Sequence, residues 1–161
     1  MLLELPHSAH CLVCGPQNPH GLHLSLFVNP TTGIVSTTFT PTKDHIGFEN
    51  ILHGGILMTL ADEAMAWSAI WASKRLCLAA ELTTRFLSPA RPGSPLTITA
   101  TITSKRPRLL TSHCTLHNAA NQLISESTGK FIPLPESQTP TLLNSLLPHP
   151  NTAQAVSLLQ S

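Results

Sequence analysis

The chain has 161 residues, 42% of them hydrophobic and 11% charged, with a formal net charge of +1, a size that suits one domain with a sizeable core. Charge so sparse and balanced excludes bulk attraction to nucleic acid or to an anionic membrane, and points instead to surface covered by a partner subunit. No run reaches the roughly 18–20 apolar residues of a bilayer span, the N-terminus lacks the basic and apolar regions of a secretory signal, and four cysteines are too few for a disulfide framework, so a reduced, cytoplasmic protein is expected.

Residues 1–22 are rich in His, Pro, Cys and Gly without periodicity and are read as a capping segment. The runs 23–28 and 34–39 are β-type and flank the turn signal Asn29-Pro-Thr-Thr-Gly33, which fits a hairpin. A long polar loop fills 41–52. From 54 to about 72 Leu, Ala and Met dominate, without Pro and with no Gly after Gly55, which predicts a helix. Ile56, Leu60, Ala64, Trp67 and Trp71 recur at steps of three and four, while Leu57, Met58, Ala61, Met65 and Ala69 fill the other sides. A helix apolar almost all round is a buried one. Four β-type runs follow at 78–87, 96–104, 109–117 and 123–132, and Thr97-Ile-Thr-Ala-Thr-Ile-Thr alternates as a strand with one wet face does. Residues 133–161 are read as a loosely held tail, with a short amphipathic helical turn at 153–159. The order predicts an α+β domain over 23–132, a curved antiparallel sheet of about six strands around one long buried helix.

The chemistry concentrates where the loop enters the helix. His53-Gly54-Gly55 opens it, and Asp62 and Glu63 sit inside its apolar length. Glycines at a helix mouth let a substrate approach bare N–H groups at the positive end of the helix dipole. Carboxylates in a greasy helix are costly to bury. Together they outline an electrophile-polarising end and an acid/base or nucleophilic group.

With Asp62 nine residues after His53, the strand order and the helix motif resemble the hotdog-fold acyl-CoA thioesterases, in the branch similar to the phenylacetate-pathway protein PaaI. Cys11-Leu-Val-Cys14-Gly-Pro-Gln-Asn18-Pro-His-Gly21-Leu-His23 resembles the Cys-rich N-terminal signature of that branch, Leu57-Met-Thr-Leu-Ala-Asp62-Glu63 its helix, and Leu82-Thr-Thr-Arg-Phe86-Leu-Ser-Pro89 the strand after it. The resemblance implies that the Gly54 or Gly55 N–H polarises a thioester carbonyl and that Asp62 performs the chemistry, with no cofactor beyond the coenzyme A of the substrate. Gly54 and Asp62 are eight residues apart, about 12 Å along one helix, too far to touch one carbonyl. The carboxylate must then come from an antiparallel helix of a second subunit, so a homodimer or a dimer of dimers is expected. Helical-wheel periodicity places Glu63 within the Ile56/Leu60/Trp67 stripe and Asp62 off it, whereas the resemblance favours Asp62; both stay candidates.

His53 is read as a substrate or loop contact, and Asn50 as a carbonyl or water partner. Relatives often carry Ser or Thr where this chain has Ala79, which weakens hydrolysis or shifts the work to a group such as Thr83. Met58, Met65, Trp67 and Trp71 are core residues or walls of an acyl pocket. Lys105, Arg106 and Arg108 form either a solvated corner or a contact for coenzyme A phosphates. Cys11 and Cys14 with His20 or His23 have part of a zinc pattern but lack a second well-spaced pair, and no metal is expected. The activity implied is hydrolysis of a small-to-medium or aromatic acyl-CoA. A hotdog hydratase or dehydratase with His53 as base, and a non-catalytic acyl-CoA-binding module, are the rivals.

Overall fold

The computed structural model describes residues 1–160, the side chain of Leu142 excepted. In chain order the elements are β1 (Leu3–Glu4), β2 (Phe27–Val28), β3 (Val35–Phe39), a 3-10 turn (Lys43–His45), β4 (Ile46–Phe48), β5 (Ile51–Leu52), α1 (Gly54–Ser73), β6 (Cys77–Phe86), β7 (Leu96–Arg106), β8 (Leu109–Asn118) and β9 (Leu123–Pro133). A second 3-10 turn (Glu136–Gln138), α2 (Thr139–Asn144), a third 3-10 turn (Pro150–Thr152) and α3 (Ala153–Gln160) complete the chain.

One antiparallel sheet in the order β1-β2-β3-β7-β8-β9-β6 wraps α1, which is the hotdog architecture. It has seven strands rather than about six, because Leu3–Glu4 pairs with Phe27–Val28 at one edge. The run expected to be extended over 23–28 is regular only at its end. His23 sits at φ 51°, and Leu24 turns its N–H to Val13 O (2.8 Å). The loop 41–52 is not featureless either, since β4 and β5 form a small separate hairpin.

Strand alternation sorts the residues as the sequence implies. On β7 Leu96, Ile98 and Ala100 are buried while Thr97 is exposed. Ser125, Ser127, Gly129, Phe131 and Pro133 of β9 are likewise buried. That inner face takes α1, whose Leu57, Leu60, Ala61, Ala64, Met65, Trp67, Ala69, Ile70 and Trp71 are buried. Burying a Leu- or Phe-sized side chain stabilises by about 1.5–3 kcal/mol, so this layer supplies most of the driving force. One polar contact sits within it. Ser68 Oγ lies 2.7 Å from Ser112 Oγ, and Ser112 Oγ donates to Thr101 O at 3.0 Å.

The helix closes at Lys74, whose φ of 59° is left-handed and whose N–H returns to Ile70 O at 2.8 Å. Two lysines then meet carbonyls near that end: Lys105 Nζ donates to Ala72 O (2.6 Å) and Lys74 Nζ to Leu158 O (2.6 Å). Cations at the C-terminal end of a helix oppose its partial negative charge.

Where composition suggests a loosely held tail, residues 136–160 pack. Leu143, Ala155 and Leu159 are buried in the core, Arg75 donates to Leu134 O through Nε at 2.7 Å, and Leu147 N–H reaches His7 O at 2.8 Å. The apolar spacing of Ala155 and Leu159, one helical turn apart, gives α3 a face to bury, and it lies near β1. No described helix is long and apolar enough to cross a membrane.

Candidate active site

The mouth of α1 is built as its sequence suggests. His53 is the N-cap, and its Nδ1 accepts the Gly55 N–H at 2.9 Å. The His53 carbonyl accepts the Ile56 N–H at 2.9 Å, and the His53 N–H is held by His45 O at 2.9 Å. Of the first N–H groups of the helix, which have no partner within it, that of Gly54 has no acceptor among the described residues. Both glycines are required by space. A Cβ on Gly55 would stand 2.9 Å from His53 Nδ1, and one on Gly54 would stand 3.3 Å from the Phe86 ring.

In front of this mouth lies a cavity of about 440 Å³ whose walls include Phe48, Ile51, His53, Gly54, Leu57 and Phe86. Its side chains are mostly apolar, with the His53 ring and Ser88 as the polar ones, the composition of a pocket for a hydrophobic group. Phe48 and Phe86 are 79% and 54% exposed, so the pocket is open to its surroundings.

The two neighbouring carboxylates of α1 have different surroundings. Glu63 faces the N-terminal segment, where its Oε1 accepts the Trp67 indole N–H at 3.2 Å and its carboxylate lies within 4.8 Å of the Cys14 thiol. Burial pushes its pKa up, and those two neighbours pull part of the way back. Asp62 belongs with Gly55, Met58, Thr59 and Ala66 to a stripe of α1 that is half-buried or exposed. Its Oδ1 is nonetheless buried and has no hydrogen-bond partner. Burial alone pushes the Asp62 pKa up, because nothing offsets it.

Asp62 does not line the cavity at the helix mouth. Both groups lie on one straight element, so a single chain does not bring Gly54 and Asp62 to one atom. Asn50 is exposed with φ 57°, occupying the turn of the β4–β5 hairpin, where an asparagine tolerates the left-handed conformation. Thr83 pairs with Thr128 and lies on the outer side of β6 with Glu81 and Arg85, which pair with Lys130 and Glu126, away from α1. Ala79 is on the inner side, opposite Phe131. A hydroxyl overlooked in the sequence, that of Thr84, is also on the inner side, 2.8 Å from Ser127 Oγ. It was legible only as every second residue of a strand whose bulge at Ala80 resets the count.

Met58 is half-buried, while Met65, Trp67 and Trp71 are core. The basic turn is at the other end of α1: Lys105 is committed to Ala72 O, and Arg106 and Arg108 are exposed. Within one subunit it does not meet the His53-Gly54 mouth.

Comparison with known proteins follows this geometry. Residues 49–125 match the family described as the Thioesterase superfamily; the Cys-rich segment precedes that stretch. A protein of Archaeoglobus fulgidus, whose name assigns it provisionally to the esterases, is 29% identical over 109 residues, covering 68% of this chain and 70% of its own. Among solved structures, the thioesterase superfamily protein RHA08564 superposes with a TM-score of 0.71 at 28% identity over 76% of this chain, which spans 60% of that protein's chain. PaaI of E. coli, from the phenylacetic acid degradation operon, has a TM-score of 0.65 at 23% identity, covering 71% of this chain and 81% of its own. Protein smu.793 of Streptococcus mutans, solved bound to acetyl CoA, has a TM-score of 0.61 at 17% identity, covering 64% and 82%. The stretch 49–125 is thus similar to the thioesterase superfamily, and the chain shares the hotdog fold of these solved structures.

Proposed function

We propose that the protein is an acyl-CoA thioesterase, hydrolysing a small-to-medium or aromatic acyl-CoA to the free acid and coenzyme A at a site shared by two copies of the chain. The observation that carries this reading is the buried, unpartnered Oδ1 of Asp62 on an open stripe of the same helix whose mouth presents a free N–H to an apolar pocket. A carboxylate oxygen withdrawn from water without a donor is destabilised, and a bound water that donates to it relieves that cost. An antiparallel α1 from a second copy sets its Asp62 opposite the Gly54 mouth. The exposed apolar residues of the free β6 edge, Leu78 and Phe86, extend the surface that such a partner covers.

In the reaction the acyl group occupies the pocket between Phe48, Leu57 and Phe86. The Gly54 N–H, reinforced by the helix dipole, stabilises the oxyanion that develops on the thioester carbonyl. The partner's Asp62 takes a proton from the attacking water as its C–O bond forms and the C–S bond breaks, and that proton passes to the departing thiolate; as a nucleophile it would instead form an anhydride that water then hydrolyses to the acid. His53 holds the loop through its bond to Gly55, and this fixed role favours hydrolysis over a hydratase with His53 as the proton-transferring base. The acetyl CoA held by the Streptococcus mutans protein and the esterase name of the archaeal relative support a thioester substrate.

A second reading, an acyl-CoA-binding module without turnover, is favoured by Ala79, which brings no hydroxyl to the inner face of β6. A thiol-release assay over short, long and aromatic acyl-CoAs separates the two. Release that collapses in Asp62→Ala supports the thioesterase, whereas binding of the acyl-CoA with no thiol released from the native chain overturns it.

A further inference from the structure

We propose that Cys11, Cys14 and Glu63 form a site for a thiophilic divalent cation, zinc above all, that ties the N-terminal segment to the central helix. One sulfur from each cysteine and one carboxylate oxygen of Glu63 all lie within 4.8 Å of one another. They come from two stretches of chain far apart in sequence, so their convergence is a product of the fold. In a tetrahedral zinc site, Zn–S bonds of about 2.3 Å and Zn–O bonds of about 2.0–2.2 Å set the donors roughly 3.5–3.8 Å apart. Side-chain rotation closes the remaining gap without moving the backbone.

The cysteine turn is already arranged for this. The Val13 N–H donates to Cys11 Sγ at 3.3 Å and so fixes the position of that sulfur in the turn. Gly15 returns its N–H to Cys11 O at 3.1 Å, and a Cβ there would stand 2.4 Å from that oxygen, so the chain closes tightly behind Cys14. His7 Nδ1 lies 2.9 Å from Cys14 O and its Nε2 lies 3.3 Å from Glu4 Oε1, which makes it a brace for the turn rather than a ligand. Trp67 anchors Glu63 from the helix side.

Two sulfurs and a carboxylate select zinc, cobalt or cadmium over magnesium or calcium. Three protein donors leave a fourth position for water. Binding of the cation by these sulfurs releases their thiol protons. This donor set differs from the sequence pairing with His20 or His23, which are exposed and outside the cluster, and it reverses the expectation of no metal.

The test uses the full chain, stripped with a chelator under a phosphine reductant, then titrated with Co²⁺ and Zn²⁺. One Co²⁺ per chain, with a thiolate-to-cobalt charge-transfer band and the visible bands of four-coordinate cobalt, is expected. Equimolar Zn²⁺ should displace it and raise the melting temperature. Cys11→Ser, at a half-exposed position tolerant of the change, should abolish the charge-transfer intensity from that sulfur and weaken binding by more than the about 10–100-fold of an outer ligand change. Absence of a thiolate band in the native chain overturns the proposal without any variant. So does metal binding of unchanged affinity in Cys11→Ser, or recovery of Cys11 and Cys14 as a disulfide that persists under the reductant.

Discussion

The two sides of α1 treat adjacent carboxylates in contrary ways. On one side Glu63 faces the N-terminal segment, takes the Trp67 indole N–H and lies beside the Cys14 thiol; on the other Asp62 has a buried oxygen with no partner on a stripe left partly open. One residue of helical rotation, about 100°, separates an acid satisfied by its own chain from one that is not. Two carboxylates of like type in like apolar surroundings thus differ in the state of their hydrogen bonds, and that difference is what singles out Asp62 in the proposed reaction.

The sharpest way to break this comparison is to remove each carboxylate in turn. Asp62→Ala should lower kcat/KM for thiol release by about 100- to 10,000-fold, the usual worth of a general base, while Glu63→Gln should retain most of the activity of whatever chain folds. Equal losses in both would erase the distinction. Gly55→Ala tests the mouth that faces the open side. Its Cβ meets His53 Nδ1 at 2.9 Å, and the displaced ring should cost about 10- to 100-fold in kcat/KM by misplacing the substrate; native kinetics in that variant would show that the His53–Gly55 bond is dispensable.

Smaller effects sharpen the energetic side. Ser112→Ala leaves Ser68 without its cross-layer partner and should cost about 1–3 kcal/mol in denaturant unfolding, with little change in KM. The Asp62 pKa is raised in the folded chain, so the native state binds the proton more tightly than the unfolded state. Stability therefore falls as pH rises from the ordinary aspartate value of 3.8 through the raised one and stays low at neutral pH. Asp62→Asn should remove this part of the slope and leave the chain more stable than native at neutral pH, as read from denaturation midpoints across pH. The slope from Glu63, raised in the same sense, should persist. The acid limb of activity should likewise lie above the ordinary aspartate range.

Much of this was legible in the sequence. The alternation of Leu96, Ile98 and Ala100 with threonines, and the all-round apolarity of 54–72, reported burial on one face and on all faces, and a single helix inside a curved sheet is the arrangement that satisfies both. What escaped depends on distant pairing. Leu3–Glu4 is too short to signal a strand and becomes one only by lying beside Phe27–Val28. The tail looked unstructured because its proline and serine content masks the few apolar residues that reach the core. Lys105 read as a free cation because the length of β7, which carries it to the end of α1, is invisible to charge counting. The approach of Glu63 to Cys11 and Cys14 joins separate segments, and no local pattern encodes it.

The hydroxyl contact between Ser68 and Ser112 has a consequence for selectivity. A directional bond midway along an otherwise greasy contact surface favours one lengthwise setting of the rod, since sliding by one residue would part the two hydroxyls and leave each only its backbone acceptor, Met65 O and Thr101 O. On the proposed reading, room for longer or bulkier acyl tails would be made by swinging the two phenyl rings at the entrance, Phe48 and Phe86, which would write chain-length preference in aromatic rotamers at the rim rather than in travel of the scaffold.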